Sequence, residues 1–301
     1  MQNPRHEANF KQKTLSWFVG QQLSEWVDFH RHILHGIWHR IQIRSSGGGL
    51  VWLYNFRSML GGRPVRTAFD QFTGRAFVTG EGFEVEVFPQ QRITNYAKGI
   101  VARAERLGKD YLLEHIDFKD GDIVIDCGAN VGDFNLYFRS KNIRIEYVGI
   151  EPGQNEFAVL QRNVAPATAY NLGLWHDDGE LTFYVSSKHA DSSLIEPPQY
   201  DSVAKVPIRR LDKLVDFPRI RLFKVEAEGA EPEVLEGAKG LFSRIDYISA
   251  DLGGERGVEQ TSTFAPVTNF LLNNGFELVD VNHTRVVGLF INKSLRNKVS
   301  L

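Results

Sequence analysis

Cysteine is almost missing from this chain: Cys127 is the single one in 301 residues. No disulfide framework can form within it, which is compatible with a reducing compartment and leaves stability to an apolar core. No run of about eighteen apolar residues occurs, and the polar N-terminus lacks a signal peptide's apolar centre. A transmembrane protein is therefore not expected, and a cytoplasmic location is. Neither sign of charge is in excess, because 35 Lys and Arg face 37 Asp and Glu for a net charge of −2. Without a global basic field, tRNA, rRNA and DNA are poor candidates as partners. There is no internal repeat and no low-complexity tract. A hydrophobic fraction of 42% is ample for a core, and the length suits one large domain or one domain with an accessory region.

What is present centres on Gly121-Asp-Ile-Val-Ile-Asp126-Cys-Gly128-Ala-Asn130-Val-Gly132-Asp133-Phe134. An apolar run ends in an acid, with glycines two and six residues later. That pattern predicts a buried parallel strand, a tight turn and the first turn of a helix. Such a unit turns backbone N–H groups and a helix N-terminus toward a ligand at the strand tip. A second strand, Ile143-Arg-Ile-Glu-Tyr-Val-Gly-Ile150-Glu151-Pro152, carries Glu151 at its own tip, 25 positions beyond Asp126. This is close to the spacing at which an acid takes up a ribose hydroxyl pair. A dinucleotide site calls for two further glycines, but Asn130 and Asp133 occupy those places. An aspartate there is also a poor neighbour for a diphosphate. S-adenosylmethionine, which has no phosphate, is the better expectation, with a nicotinamide or flavin oxidoreductase as the alternative.

Residues 1–46 show an amphipathic helical pattern through Leu15, Phe18, Trp26, Phe29, Ile33, Ile37 and Ile41. The stripe is compatible with packing on the main domain, with a homodimer seam, or with a membrane-surface face. His35 and His39 stand one turn apart, but no carboxylate or cysteine joins them in a metal-binding spacing. Ser45-Ser-Gly-Gly-Gly49 and Gly61-Gly-Arg-Pro64 read as breaks. Strands around Gly80-Glu-Gly82 and a helix over 92–115 follow, so residues 1–110 form an α+β extension suited to a lid, to packing or to dimerisation. Residues 111–301 alternate strand and helix: strands at 167–174, 220–226 and 245–251, an added strand pair at 181–185 and 206–210, helices at 154–164, 231–242 and 264–273. A closing antiparallel pair spans 276–281 and 286–291. This is a doubly wound, mostly parallel sheet with ligands at the carboxyl ends of its strands.

The densest acid cluster is Lys224-Val-Glu226-Ala-Glu228-Gly-Ala-Glu231, at the end of the fourth core strand. Two carboxylates in one pocket push one pKa upward, which suits a general base. With Asp251 they also form a candidate divalent-metal set. The plainer reading is a helix cap together with an ion pair to Lys224.

Val124-Ile-Asp-Cys-Gly-Ala-Asn-Val-Gly132, Glu151-Pro152, Leu160, Asn163, Leu211-Asp212 and Lys224-Val-Glu-Ala-Glu-Gly-Ala-Glu-Pro-Glu-Val-Leu-Glu-Gly-Ala238 together resemble the FkbM-type methyltransferase family. The resemblance covers roughly residues 110–252. It implies a class I, Rossmann-like, S-adenosylmethionine-dependent O-methyltransferase acting on hydroxyls of sugars, glycans or glycosylated and polyketide products. It also implies that Asp126, Gly128, Asn130, Gly132 and Glu151 contact the cofactor. The sequence departs from the family in having Glu226 where aspartate is usual, Asp251 where glutamate is usual, and Trp175-His176 after the third strand. The expected chemistry is in-line methyl transfer to a substrate oxygen, with Glu226 or Glu228 as base and His176 behind them. A cofactor-binding scaffold without catalysis is the remaining alternative.

Overall fold

The computed structural model describes residues 47–60, 64–186 and 192–294. The expected helix over 1–46, with His35, His39 and the proposed homodimer seam, lies outside the described residues, as do 61–63 of the second break. Ser45 and Ser46 of the first break also lie outside the described residues, while Gly47, Gly48 and Gly49 are helical. They form the first turn of α1 (Gly47–Leu60), where N–H groups need no helical partner and glycine costs least.

The first three strands, β1 (Val65–Asp70), β2 (Arg75–Gly80) and β3 (Phe83–Val87), make an antiparallel meander. Its β2–β3 turn places Glu81 and Gly82 at positive φ, 55° and 83°, the geometry that a two-residue hairpin needs. The helix expected over 92–115 is divided. A 3-10 segment spans Gln90–Tyr96, and α2 covers Ile100–Asp110. Gly99 makes the break at φ 119°, and the Glu81 carboxylate accepts hydrogen bonds from the N–H groups of Ile100 (2.6 Å) and Val101 (3.1 Å). A turn side chain thereby satisfies the new helix start.

The main sheet has seven strands: β4 (Ile123–Cys127), β5 (Glu146–Ile150), β6 (Thr168–Tyr170), β10 (Ile220–Val225), β11 (Ile245–Asp251), β12 (Phe276–Asn282) and β13 (Val287–Asn292). Their order is β12-β13-β11-β10-β4-β5-β6, and β13 alone runs antiparallel to its neighbours. Alternation along the strands divides the core. Val124, Leu222, Tyr147 and Leu289 face one side, under α2, α3 (Asn135–Ser140) and α4 (Gln154–Val164). Ile125, Phe223, Val148 and Phe290 face the other, under α6 (Glu231–Ala238) and α7 (Phe264–Asn273). Burial on both faces explains why these strands carry apolar residues on both sides. The helix expected over 231–242 is α6 followed by a 3-10 segment, Lys239–Arg244.

The strand expected over 167–174 is also divided. Asn171 turns its side-chain amide to the carbonyls of Glu151 (2.9 Å) and Pro152 (3.1 Å). The chain then leaves the main sheet, and β7 (Gly173–Leu174) joins β8 (Gly179–Val185) and β9 (Ser202–Arg209) in a second small sheet. The short α5 (Leu211–Leu214) leads back to β10. The meander is fastened to the core by α4. Asn163 accepts from the Glu86 N–H at 2.9 Å and donates to the carbonyls of Glu86 (2.9 Å) and Val131 (2.7 Å). Buried Glu86 also pairs with Arg75 and Arg162.

Candidate active site

At the carboxyl ends of β4 and β10 the parallel register sets Lys224 directly beside Asp126. Residue 226 follows on the same side of its strand. The Lys224 ammonium is buried and lies 2.9 Å from Asp126 and 3.0 Å from Glu226, and it donates to the carbonyls of Cys127 (3.0 Å) and Gly128 (2.9 Å). Burial alone would lower its pKa, but the two carboxylates hold it well above the ordinary lysine value. Asp126 is fully buried and also accepts a hydrogen bond from Tyr147 at 2.5 Å. Its burial raises its pKa against the opposing pull of Lys224 and Tyr147. Asp126 thus braces the turn from beneath.

The turn beyond it is geometrically constrained. Gly128 has φ 69°, and a Cβ there would stand 1.9 Å from the carbonyl oxygen of Glu226. Only glycine allows β4 and β10 to end so close together. Gly132, at φ 84°, packs against α4, where a Cβ would stand 2.6 Å from Val164 and 3.1 Å from Leu160. Gly132 shapes the turn through that helix. Asn130 occupies a left-handed conformation at φ 49°; its N–H donates to Glu151 at 2.8 Å and its side-chain oxygen accepts from Arg92.

Glu151 closes the other end of the cleft. Its second oxygen accepts from the Gly153 N–H at 2.8 Å, and burial raises its pKa to about 7 despite both backbone donors. A Cβ on Gly153 would lie 2.5 Å from Glu156 and 3.0 Å from Glu151, so the two carboxylates converge over that glycine. From Glu151 the cleft, about 200 Å³ in volume, runs past Ile150, Leu172, Leu174 and Phe183 to Glu226 and Glu228. Apolar walls ending in one buried acid suit an adenosine with a ribose diol. A second cavity, about 220 Å³, opens off the same turn beneath Arg92 and Arg103 and shares Asn130, Glu226 and Arg285 with the first.

Residues 126–278 match the family described as Methyltransferase FkbM domain, just over half of the chain. The chain belongs to the FkbM methyltransferase family. Methyltransferase 1 of Beauveria bassiana (strain ARSEF 2860) is 30% identical over 188 residues, covering 53% of this chain and 74% of that protein. Methyltransferase sdnD of Sordaria araneosa is 25% identical over 195 residues, covering 50% and 75%. Among solved structures, the N-terminal domain of human METTL16 covers 81% of each chain at 12% identity, with a TM-score of 0.40, a level too low to carry inference. This FkbM-type chain is a class I S-adenosylmethionine-dependent methyltransferase with a mostly parallel α/β sheet. The donor set fits that cofactor, since a buried carboxylate and apolar walls line the cleft.

The expectations for chemistry divide. Glu226 is held by Lys224, by Arg285 from the β12–β13 turn, and by the Tyr111 hydroxyl. Burial would raise its pKa, but Lys224, Arg285 and Tyr111 outweigh it and bring the value down to about 2. The expected upward shift by a neighbouring acid is therefore reversed at Glu226, which is a fixed anion. Glu228 lines the cleft in a left-handed backbone conformation, φ 49°. Glu231 points away, capping the loop by accepting from the N–H groups of Ala227 (2.8 Å) and Gly229 (3.2 Å). His176 lines none of the cavities described and stands half-exposed, 3.0 Å from Asp177, so the catalytic role expected of it finds no support. Nor do Glu226, Glu228 and Asp251 form a metal cluster: among the described residues no three such side chains gather, and the Glu226 oxygens are taken by cations and a phenol. Asp251 is buried, accepts from the Gly253 N–H at 2.7 Å, and is raised to about 7 by burial and by Glu255 and Glu226. Arg92, Tyr111 and Arg285 were not anticipated. Arg92 lies in the 3-10 segment, Tyr111 at the end of α2 and Arg285 in the β12–β13 turn, all outside the motifs, and only the fold brings them in.

Proposed function

We propose that this methyltransferase transfers the methyl group to a hydroxyl of a small molecule, a sugar or a glycosylated metabolite, with Glu228 taking the hydroxyl proton. The observation that carries this reading is the pairing of two unlike acids at one cleft mouth. Glu226 is fixed as an anion by two cations, whereas Glu228 faces both the cofactor cleft and the groove beyond it. S-adenosylmethionine, when bound, supplies an electrophilic methyl on a cationic sulfur. The chain's own residues supply position and proton removal. Glu151 and Asn130 fix one end of the cleft, and Arg92 reaches it from the N-terminal region. This favours the described part of residues 1–110 as a covering layer over the domain at 111–301. The strained backbone at Glu228 supports a functional role, because such conformations persist where surrounding structure enforces them. The absence of a helix long and apolar enough to cross a membrane among the described residues is compatible with a diffusible acceptor.

Glu228→Gln is the test. It should leave S-adenosylmethionine affinity nearly unchanged and lower turnover by about 10²–10⁴-fold, the range for loss of a general base. Unchanged turnover would eliminate Glu228 from proton transfer.

A further inference from the structure

In the second cavity, the one of about 220 Å³ beside the Gly128 turn, charge is unevenly settled. Five cations line it: Arg92, Arg103, Arg106, Lys224 and Arg285. Four of them are paired. Arg103 meets Asp133 at 3.1 Å and Arg106 meets Asp110 at 3.4 Å. Lys224 lies 2.9 Å from Asp126 and 3.0 Å from Glu226, and Arg285 pairs with Glu226. Arg92 makes no ion pair among the described residues. Its Nη1 donates to the side-chain oxygen of Asn130, which leaves the Nε–Nη2 edge of the guanidinium for a second partner. Glu156 lines the first cleft near it. Burial raises the Glu156 carboxyl, opposed by its own N–H and by the charge on Arg92, but no bond joins the two side chains. The segment that carries Arg92 is fixed. Ile93 and Tyr96 are buried, and the Tyr96 hydroxyl donates to Asp133, next to Gly132. Asn130 links the guanidinium to the Glu151 end of the cleft, because its N–H donates to Glu151 at 2.8 Å.

We infer that the second cavity receives the amino-acid end of S-adenosylmethionine and that Arg92 is the anchor for its carboxylate. The inference rests on S-adenosylmethionine as the ligand of the first cleft, and it holds whatever the acceptor is. Arg92, Gly128, Asn130, Glu226 and Arg285 line both cavities, so a ligand with its ribose at Glu151 reaches the second one by crossing the Gly128 turn. The four acids of that cavity, Asp110, Asp126, Asp133 and Glu226, are matched by the other four cations. An entering carboxylate therefore depends on Arg92 for its counter-charge, and an unpaired carboxylate there would be desolvated without compensation. The planar edge of a guanidinium accepts a carboxylate in bidentate fashion, which a lysine ammonium does not reproduce. Arg92 lies outside residues 126–278, the part that matches the family. The cofactor site is then completed by the N-terminal region, whose described part binds the ligand as well as covering it.

The test is calorimetric and uses the full chain with two ligands that differ only in the group in question. One is S-adenosylhomocysteine; the other is its decarboxylated analogue, which keeps the adenosine, the thioether and the ammonium. The unmodified chain should bind S-adenosylhomocysteine at least about tenfold more tightly, the loss expected when a charged hydrogen bond is missing. In Arg92→Gln, whose amide can still donate to Asn130, S-adenosylhomocysteine should weaken by about tenfold or more while the decarboxylated analogue changes by less than about twofold. The preference then disappears. Arg92→Lys should retain part of it, because the charge remains and the bidentate edge is lost. Equal affinity of the unmodified chain for both ligands overturns the proposal. So does a preference that survives in Arg92→Gln, or a Gln variant that weakens both ligands by the same factor, which is the mark of a merely structural role. Failure of the unmodified chain to bind either ligand would instead contradict S-adenosylmethionine as the cofactor.

Discussion

Removing the Lys224 ammonium should expose how much of the site depends on one buried cation. In Lys224→Met the stem is replaced at similar volume, so the cavity term is small and the loss is mainly electrostatic. Glu226 keeps Arg285 and Tyr111 as partners. Asp126 keeps only the Tyr147 hydroxyl and has no exposure to water. Breaking a buried ion pair from one side costs about 3–5 kcal/mol. The cost has a ceiling, because Asp126 can take up a proton instead. From an ordinary aspartate pKa of about 3.9, that neutralisation costs about 4 kcal/mol at pH 7 and about 1.5 kcal/mol at pH 5. The sign follows from linkage. In the variant the folded pKa of Asp126 stands far above its unfolded value, so folding stability is retained at low pH and declines as pH rises toward the folded value. The stability deficit of Lys224→Met should therefore be close to 4 kcal/mol at pH 7 and about 2.7 kcal/mol smaller at pH 5. Urea unfolding followed by circular dichroism at both pH values measures this directly. Adding Asp126→Asn to Lys224→Met should restore at least half of the pH 7 loss. A deficit under about 1 kcal/mol, or one equal at the two pH values, would refute the account of Lys224 as the centre of a buried charge network.

Other consequences can be checked alongside it. The carboxyl of Glu151, raised to about 7, should make S-adenosylmethionine bind more tightly as pH rises. Between pH 6 and 8 its ionised fraction grows about tenfold, and calorimetry should show a comparable gain that Glu151→Gln abolishes. Gly128→Ala should yield little folded protein, since the new Cβ meets the Glu226 carbonyl at 1.9 Å and φ is 69°. A normally soluble, cofactor-binding Gly128→Ala protein would contradict the described turn. Arg285→Gln should release part of the hold on Glu226 and cost about 1–2 kcal/mol at pH 7. Because Glu226 lies at about 2 in the folded protein, its stabilisation is present above the ordinary glutamate value and fades as pH falls toward 2. The Arg285→Gln deficit should fade over the same window, which acid titration of thermal stability would reveal.

The fold was legible from the sequence where one physical pattern dominated. Apolar residues on both faces of Ile123–Cys127, Ile220–Val225 and Ile245–Asp251 specified buried parallel strands, and α4 and α7 keep the expected limits. Legibility failed where a side chain overrode the local pattern. Glu81 starts a helix nineteen positions downstream, at Ile100, and Asn171 bends what reads as one strand into two sheets. At the site, Glu151 and the Gly128 turn carried their own signal, because an acid and a glycine at strand tips have few other uses. The pKa of Glu226 did not. Its neighbouring acid was visible in the sequence, but Arg285 is 59 residues away and Tyr111 is 115 residues away. Charge balance in a pocket depends on every element that reaches it, so an acid pair alone did not tell that Glu226 is the one held as an anion. His176 illustrates the converse: its proximity to a strand tip in sequence did not bring it to the cleft.

The central claim is that the cleft between Glu151 and Glu226 holds S-adenosylmethionine. Calorimetric titration of the full chain with S-adenosylmethionine and with NAD, repeated on Glu151→Ala, tests it most directly. The account predicts binding of the methyl donor alone, weakened by about 1–3 kcal/mol when the Glu151 carboxylate is removed. Binding of NAD, or undiminished methyl-donor binding by Glu151→Ala, would contradict it.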